Sequence, residues 1–201
     1  VISRFAVTGQ FTAKKWELFT YSSIWALFGE ATLNTLAAFA AAAVGALILG
    51  FVLAIGRLSD HAWIRVPVGW IVEILRAVPV LIFMMLLYYG LPGLGFRLSA
   101  DHAGLLALTL YHGAYFAEIL RSQRLIMPAG YIEAAQAHGF RHFTLYRRII
   151  LPSVLMSALP LLGNQFILCL KDTAFLCIIT VREVTAAANS VQSTYFIPMK
   201  A

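Results

Sequence analysis

Charged and strongly polar side chains are scarce here, and those inside apolar stretches fall into a few groups. Glu73 and Arg76 share a spacing with Glu118 and Arg121. Residues at i and i+3 lie on one face of a helix, so each acid can meet its base as an ion pair. Either a gate or a set of snorkelling anchors would use such pairs, because a charge near a helix end costs far less than one at its centre. His112 and Asn164-Gln165 lie within apolar runs, where a polar group must find a partner. That partner is a neighbouring helix or a passing solute. Lys171-Asp172 closes a long uncharged run as an interfacial charge pair. No G-x-x-x-x-G-K-[ST] loop is present to cradle phosphates, and no Ser/His/Asp or His-Glu-x-x-His arrangement is present to hydrolyse a bond. The chemistry open to these residues is binding, gating and docking, and any energy must come from elsewhere.

Residues 133–152, EAAQAHGFRHFTLYRRIILP, are the most patterned stretch. Pro128 suits a helix N-terminus, and Ala134, Ala135 and Ala137 favour helix while offering little bulk. Gly139 suits a left-handed stop. A basic turn follows, and then Ile149 and Leu151-Pro152 lead into an apolar run. As residues alone, this reads equally as a docking helix and as an ordinary amphipathic loop.

The elements that must hold these groups lie in a membrane. The chain has 201 residues, 61% hydrophobic and 12% charged, with a mean hydropathy of +0.82, far from the balance of a soluble domain. Uncharged runs between Glu30 and Arg57, Arg76 and Arg97, and Arg148 and Lys171 can each cross roughly 30 Å of hydrocarbon. The run from Asp101 to Glu118 is shorter and spans if its ends snorkel. Four helices are therefore expected. Helix two begins near Val66 and passes through Pro79 to Tyr89, with Gly90-Leu91-Pro92-Gly93 ending it. Helix three runs from Ala103 to Leu120, and helix four carries Pro152 and Pro160. Pro160 is expected to bend or break its helix by freeing the carbonyl of Met156. The weakly apolar stretch 173–188 reads as re-entrant or interfacial. Gly45 and Gly50 mark an alanine-rich first helix open to close packing.

The net charge of +6 sets topology and needs no nucleic-acid partner. With the N-terminus outside, segments 57–76 and 121–148 face the cytoplasm and hold Arg57, Arg65, Arg76, Arg121, Arg124, Arg141, Arg147 and Arg148. The outer segments 1–30 and 91–102 hold Arg4, Lys14, Lys15 and Arg97, which is the positive-inside asymmetry. Phe11, Trp16, Phe19, Tyr21, Trp25 and Phe28 suit an interfacial aromatic belt. Cys169 and Cys177 read as small core residues, and no signal peptide is visible.

The spacing E-A-A-x3-G-x9-I-x-L-P, filled at every fixed position, resembles the EAA motif of ABC importer membrane subunits. LRAVPVLIFMMLLYYGLP (75–92), AYFAEILRS (114–122) and NQFILCLKDTAF (164–175) are similar to further signatures of the polar amino acid permeases of the histidine, glutamine and glutamate type. Residues 56–82 are most similar to actinobacterial glutamate-system permeases. The resemblance covers roughly residues 30–195 and implies an all-α polytopic domain of the type I ABC importer (MetI-like) class, in a bacterial cytoplasmic membrane. Four helices are clear and a fifth is implied.

By that resemblance, Glu133, Ala134, Ala135, Gly139, Ile149, Leu151 and Pro152 couple the chain to a pair of ATPase subunits. Lys171 and Asp172 contact an extracytoplasmic amino acid-binding protein or form an outer gate. The charge pairs gate or anchor, and His112 and Asn164 line the path of a polar amino acid, plausibly glutamate. A second permease chain, identical or homologous, and membrane lipid complete the partners, with no cofactor and no catalysis of its own.

Three departures stand beside the match. Ser122-Gln123 replaces a small residue, and Phe140-Arg141-His142 lacks a capping Ser or Thr. The chain stops at Met199-Lys200-Ala201 where relatives continue past the position of Phe196. The expected division is thus an interfacial segment 1–30, a transmembrane domain 31–195 with the loop 121–152, and a truncated end 196–201. Two other readings remain at this level: an ATP-independent secondary transporter, or a non-transporting fragment that keeps the docking loop.

Overall fold

The computed structural model describes residues 17–195. Arg4, Phe11, Lys14, Lys15 and Trp16, and the end from Phe196 to Ala201, lie outside the described residues. After a 3-10 turn at Glu17–Thr20, α1 runs from Ser22 to Arg57. Next come α2 (Ala62–Ala77), α3 (Val80–Met85), α4 (Ala100–Leu125) and α5 (Ala129–Ala137). The short α6 (His142–Leu145) leads to α7 (Leu151–Asp172), and α8 spans Val184–Tyr195. The fold is an all-α polytopic bundle.

Among the described residues, three helical stretches are long and apolar enough to cross a membrane: Ser22–Arg57, Ala100–Leu125 and Phe143–Ile179. A fourth crossing exists if α2 and the stretch Val80–Leu94 count as one span, and these two are bent by 100°. Helix two therefore does not pass through Pro79. Val78 is extended (φ −92°, ψ 127°), as a residue before proline tends to be. The bend lets the two halves reach different parts of the core: Val72 of α2 packs with Ala54 and Leu120, whereas Val80 and Met84 of α3 pack with Leu108 and Leu176. The expected break at Pro160 is absent, because α7 is helical throughout Leu151–Asp172. The proline there is exposed on the outer face of the helix.

The centre of the bundle is the α1–α4 contact, and small residues make it. A Cβ on Gly50 would sit 2.5 Å from Cβ of Phe116 and 3.0 Å from the carbonyl oxygen of Gly113, so the backbones approach as closely as glycine allows. Ala42, Ala46, Ala107, Ala114 and Ala117 line the same seam, all fully buried.

The stretch 173–188 divides. Thr173–Ile179 extends α7 as a 3-10 helix, and Thr180 turns the chain in the left-handed region (φ 72°). Then α8 packs back on α1, with Val191 against Ile24. Glu183, within this stretch, is buried. Its carboxylate accepts the amides of Thr185 (2.8 Å) and Ala186 (2.6 Å) at the start of α8. Asn34 Nδ2 donates to the carbonyl of Arg182 (3.0 Å), and Thr35 Oγ1 accepts from the amide of Val184 (3.1 Å), which fixes α8 to α1.

Candidate functional site

Three places gather the polar groups: the helical loop before α7, an ionic cluster at the ends of α1 and α4, and a cleft between α3, α4 and α7.

In the loop, Pro128 stands at the N-cap of α5 and Gly139 ends the helix at φ +76°. The amide of Gly139 donates to the carbonyl of Gln136 (2.9 Å) and that of Phe140 to the carbonyl of Ala135 (3.1 Å). These two bonds are the Schellman pattern, which only a left-handed residue at this position closes without strain. Glu133, Ala134 and Gly139 are exposed and Ala135 is buried. Ala135 packs in one cluster with Leu145, Ile150 and Val154, flanked by Phe140 and Ile149. Ala135 thus ties α5 to the core at the base of α7. A π-helical turn, Tyr146–Ile150, leads into α7, where Leu151 and Pro152 form the first turn. The amide of Leu151 donates to the carbonyl of Tyr146, five residues back, so the helix runs on through Pro152, whose missing N–H falls beside this wider turn. An open hollow of about 560 Å³ lies along this helix, lined by Pro128, Tyr131, Ala134, His138, Phe140 and Ile149.

The ionic cluster differs from the expected pairs. Glu118 and Arg121 do meet, in a bidentate contact of 2.9 and 2.6 Å. Glu73 does not reach Arg76. It lies 3.6 Å from Arg57, which is also 3.7 Å from Glu118. Arg57, at the last turn of α1, is the residue that the i,i+3 spacing could not reveal, since it comes from another helix. Arg76 instead stacks on Tyr115, 4.9 Å from the ring centre, and its buried Nε donates to no group among the described residues.

The cleft encloses about 510 Å³ between Pro79, Tyr111, His112, Tyr115, Gln165 and Asp172. His112 is fully buried, and Gln165 Nε2 donates to its Nδ1 at 2.8 Å. With Nδ1 accepting, the imidazole proton falls on Nε2. That nitrogen lies 3.4 Å from Asp172 Oδ2 and makes no hydrogen bond among the described residues. The Tyr111 and Tyr115 hydroxyls, 3.3 Å apart, form the facing wall. Their i,i+4 spacing was a signal available in the sequence. Asn164 is exposed and stands apart from His112, and Lys171 also turns outward while Asp172 turns into the cleft. Of the two residues expected along a path, His112 lies in the cleft and Asn164 does not; Gln165 lines the cleft with it, as does Asp172, expected at an outer gate or binding-protein contact.

Residues 46–199 match the family described as binding-protein-dependent transport system inner membrane component. The chain is 37% identical over 188 residues to the octopine transport system permease protein OccM of Rhizobium meliloti, covering 89% of this chain and 76% of that one. It is 32% identical to the probable glutamine ABC transporter permease protein GlnM of Bacillus subtilis, with 82% and 76% covered. Identity to the histidine/lysine/arginine/ornithine transport system permease protein HisM of Salmonella typhimurium is 36%, with 77% and 70% covered. Among solved structures, a crystal structure of an amino acid ABC transporter with histidines superposes with a TM-score of 0.83 at 30% identity, over 94% of this chain and 88% of the other. An inward-facing crystal form of the MetNI methionine ABC transporter shares the fold at a TM-score of 0.70 and 18% identity, over 88% and 91%.

Proposed function

The chain belongs to the binding-protein-dependent transport system inner membrane component family, as a non-catalytic, multi-pass permease subunit of an ABC amino-acid importer in a bacterial membrane, and from that premise we propose that α5 is its coupling helix and the α3–α4–α7 cleft part of its amino acid path. The loop 121–152 docks on one of two ATPase subunits, with Glu133 and Ala134 at the contact and Gly139 holding the end of the helix. The observation that carries this reading is the seating of α5: Ala135 is buried in the same cluster as Ile150 and Val154. A push on α5 is therefore a push on the base of α7, which carries Gln165 and Asp172 at its far end. Packed elements transmit such displacements as rigid shifts.

In the same reading, residues 31–195 form the transmembrane domain, which pairs with a second permease chain, identical or homologous. A binding protein delivers the amino acid at the outer mouth, where Lys171 is exposed. The related permeases named for octopine, glutamine and basic amino acids differ in side-chain chemistry, so the common feature of the solute is its amino acid part. Glutamate, suggested by residues 56–82, is one candidate within that class. Glu118 and Arg121 hold the end of α4 that leads into the loop.

Co-purification with the candidate ATPase from membranes, comparing wild type with Gly139→Asp, tests the docking. Retention by wild type and loss in the variant are expected. Uptake driven by an ion gradient in ATP-free vesicles would overturn the reading in favour of a secondary transporter.

A further inference from the structure

The junction of α1 and α2 carries a positive charge that the ionic cluster does not neutralise. Three guanidinium groups, Arg57, Arg65 and Arg121, line a cleft of about 330 Å³ together with Gly69, Trp70 and Glu73. Glu73 and Glu118 answer Arg57 and Arg121. Arg65 is different. Its Nη1 donates to the carbonyl oxygens of Ser59 (3.1 Å) and Asp60 (3.4 Å), which are neutral acceptors. No carboxylate among the described residues lies within ion-pair distance of it.

Beside this surplus charge, α2 turns Trp63, Val66, Trp70, Ile71 and Ile74 outward, each 49–75% exposed. A cationic cleft bordered by tryptophan and an apolar stripe, where a membrane-crossing helix ends, combines two requirements. The ligand must bring an anion with several acceptor oxygens, which guanidinium groups bind by paired donors. It must also bring hydrocarbon to cover the stripe. A second copy of this chain would bring the same positive surplus, and a small anion would leave the stripe bare.

We propose that this cleft holds the phosphate of an anionic phospholipid, in the leaflet on the side of the loop 121–152. The headgroup lies between Arg65 and Arg57, and the acyl chains lie along Trp63, Trp70 and Ile74. Basic pockets between membrane helices bind acidic lipids by this combination, and tryptophan favours the same depth. The site does not depend on what α5 binds. Arg57 also contacts Glu73 and Glu118, so an occupied cleft bears on the end of α4 that leads into the loop.

The test uses the full chain in its transporter complex, reconstituted in phosphatidylcholine vesicles containing phosphatidylglycerol, with bromine on the acyl chains of one lipid or the other. Brominated phosphatidylglycerol is expected to quench tryptophan fluorescence more than the same amount of brominated phosphatidylcholine. Arg65→Gln lowers that preference about fivefold, the weight of one basic residue at a membrane surface. Arg141→Gln removes the same charge elsewhere on the loop side and leaves the preference intact, and Arg65→Lys retains most of it. Three results overturn the proposal: no preference in wild type, equal loss in Arg65→Gln and Arg141→Gln, or relief of quenching by inorganic phosphate but not by chloride at equal ionic strength. A photo-crosslinker at position 66 that captures a second copy or the ATPase in place of lipid also overturns it.

Discussion

The loop helix α5 and the cleft at His112 are held by opposite means. Backbone bonds between residues three to five apart close α5, its capping glycine follows directly in the chain, and Ala129, Ala134 and Ala137 are exposed. The cleft joins His112 of α4 to Gln165 and Asp172 of α7, 53 and 60 residues away, and its central side chain is fully buried. A locally closed helix keeps its shape while a partner grips it, which suits a docking surface. A polar cluster assembled from separate helices changes whenever they shift, which suits a passage that must open and close. In this molecule Ala135, Ile150 and Val154 share one core, which seats α5 on the base of α7, the helix that carries Gln165 and Asp172.

The largest effect is expected at the loop. Ala134→Arg places bulk and charge on an exposed face that folding does not use, so the chain should assemble while ATP-coupled uptake falls about tenfold or more, the consequence of a single clash of at least about 1.4 kcal/mol. Uptake into vesicles with ATP inside, beside co-purification of the ATPase, measures this; normal uptake would remove α5 from the docking surface.

Next is Gln165→Leu, which strands Nδ1 of His112 in the interior at a cost of about 1–3 kcal/mol. Thermal unfolding in detergent should show the loss. The double change His112→Leu with Gln165→Leu should recover most of that stability, since neither polar group is then left alone, while uptake stays low. Recovery of both would make the pair purely structural.

Glu118→Gln loosens the link between the two regions. It removes a partly buried pair worth about 1 kcal/mol, so assembly should change little while ATPase stimulation by loaded binding protein drops. Unchanged turnover would leave the cluster a membrane anchor. The smallest effect belongs to Asn164→Ala, whose exposed side chain stands outside the cleft. Stability within about 0.5 kcal/mol of wild type and unaltered substrate dependence are expected, and a strong defect would place that face against a second permease chain.

Much of the fold was legible in the residues. Uncharged runs marked the crossing helices because hydrocarbon admits few charges whatever the tertiary arrangement. The loop was equally readable: proline before, alanines within and glycine after specify a short helix and its stop through local backbone preferences. Glycine at position 139 meets its left-handed requirement without help from any distant residue.

Other features depended on which helices meet. Glu73 and Arg76 have the spacing of a pair, yet Arg57 takes the acid and Tyr115 takes the base. Pro67, Pro79 and Pro160 all sit in apolar helical sequence. Only the second becomes a sharp bend, because Val72 and Val80 on either side of it pack into different clusters. The cleft follows the same logic, since a buried histidine announces only that it needs a partner. Local sequence sets backbone torsions and solubility in lipid, but ion-pair choice, helix breaks and polar clefts are settled by contacts between segments many residues apart, whose energies no single window of the chain contains.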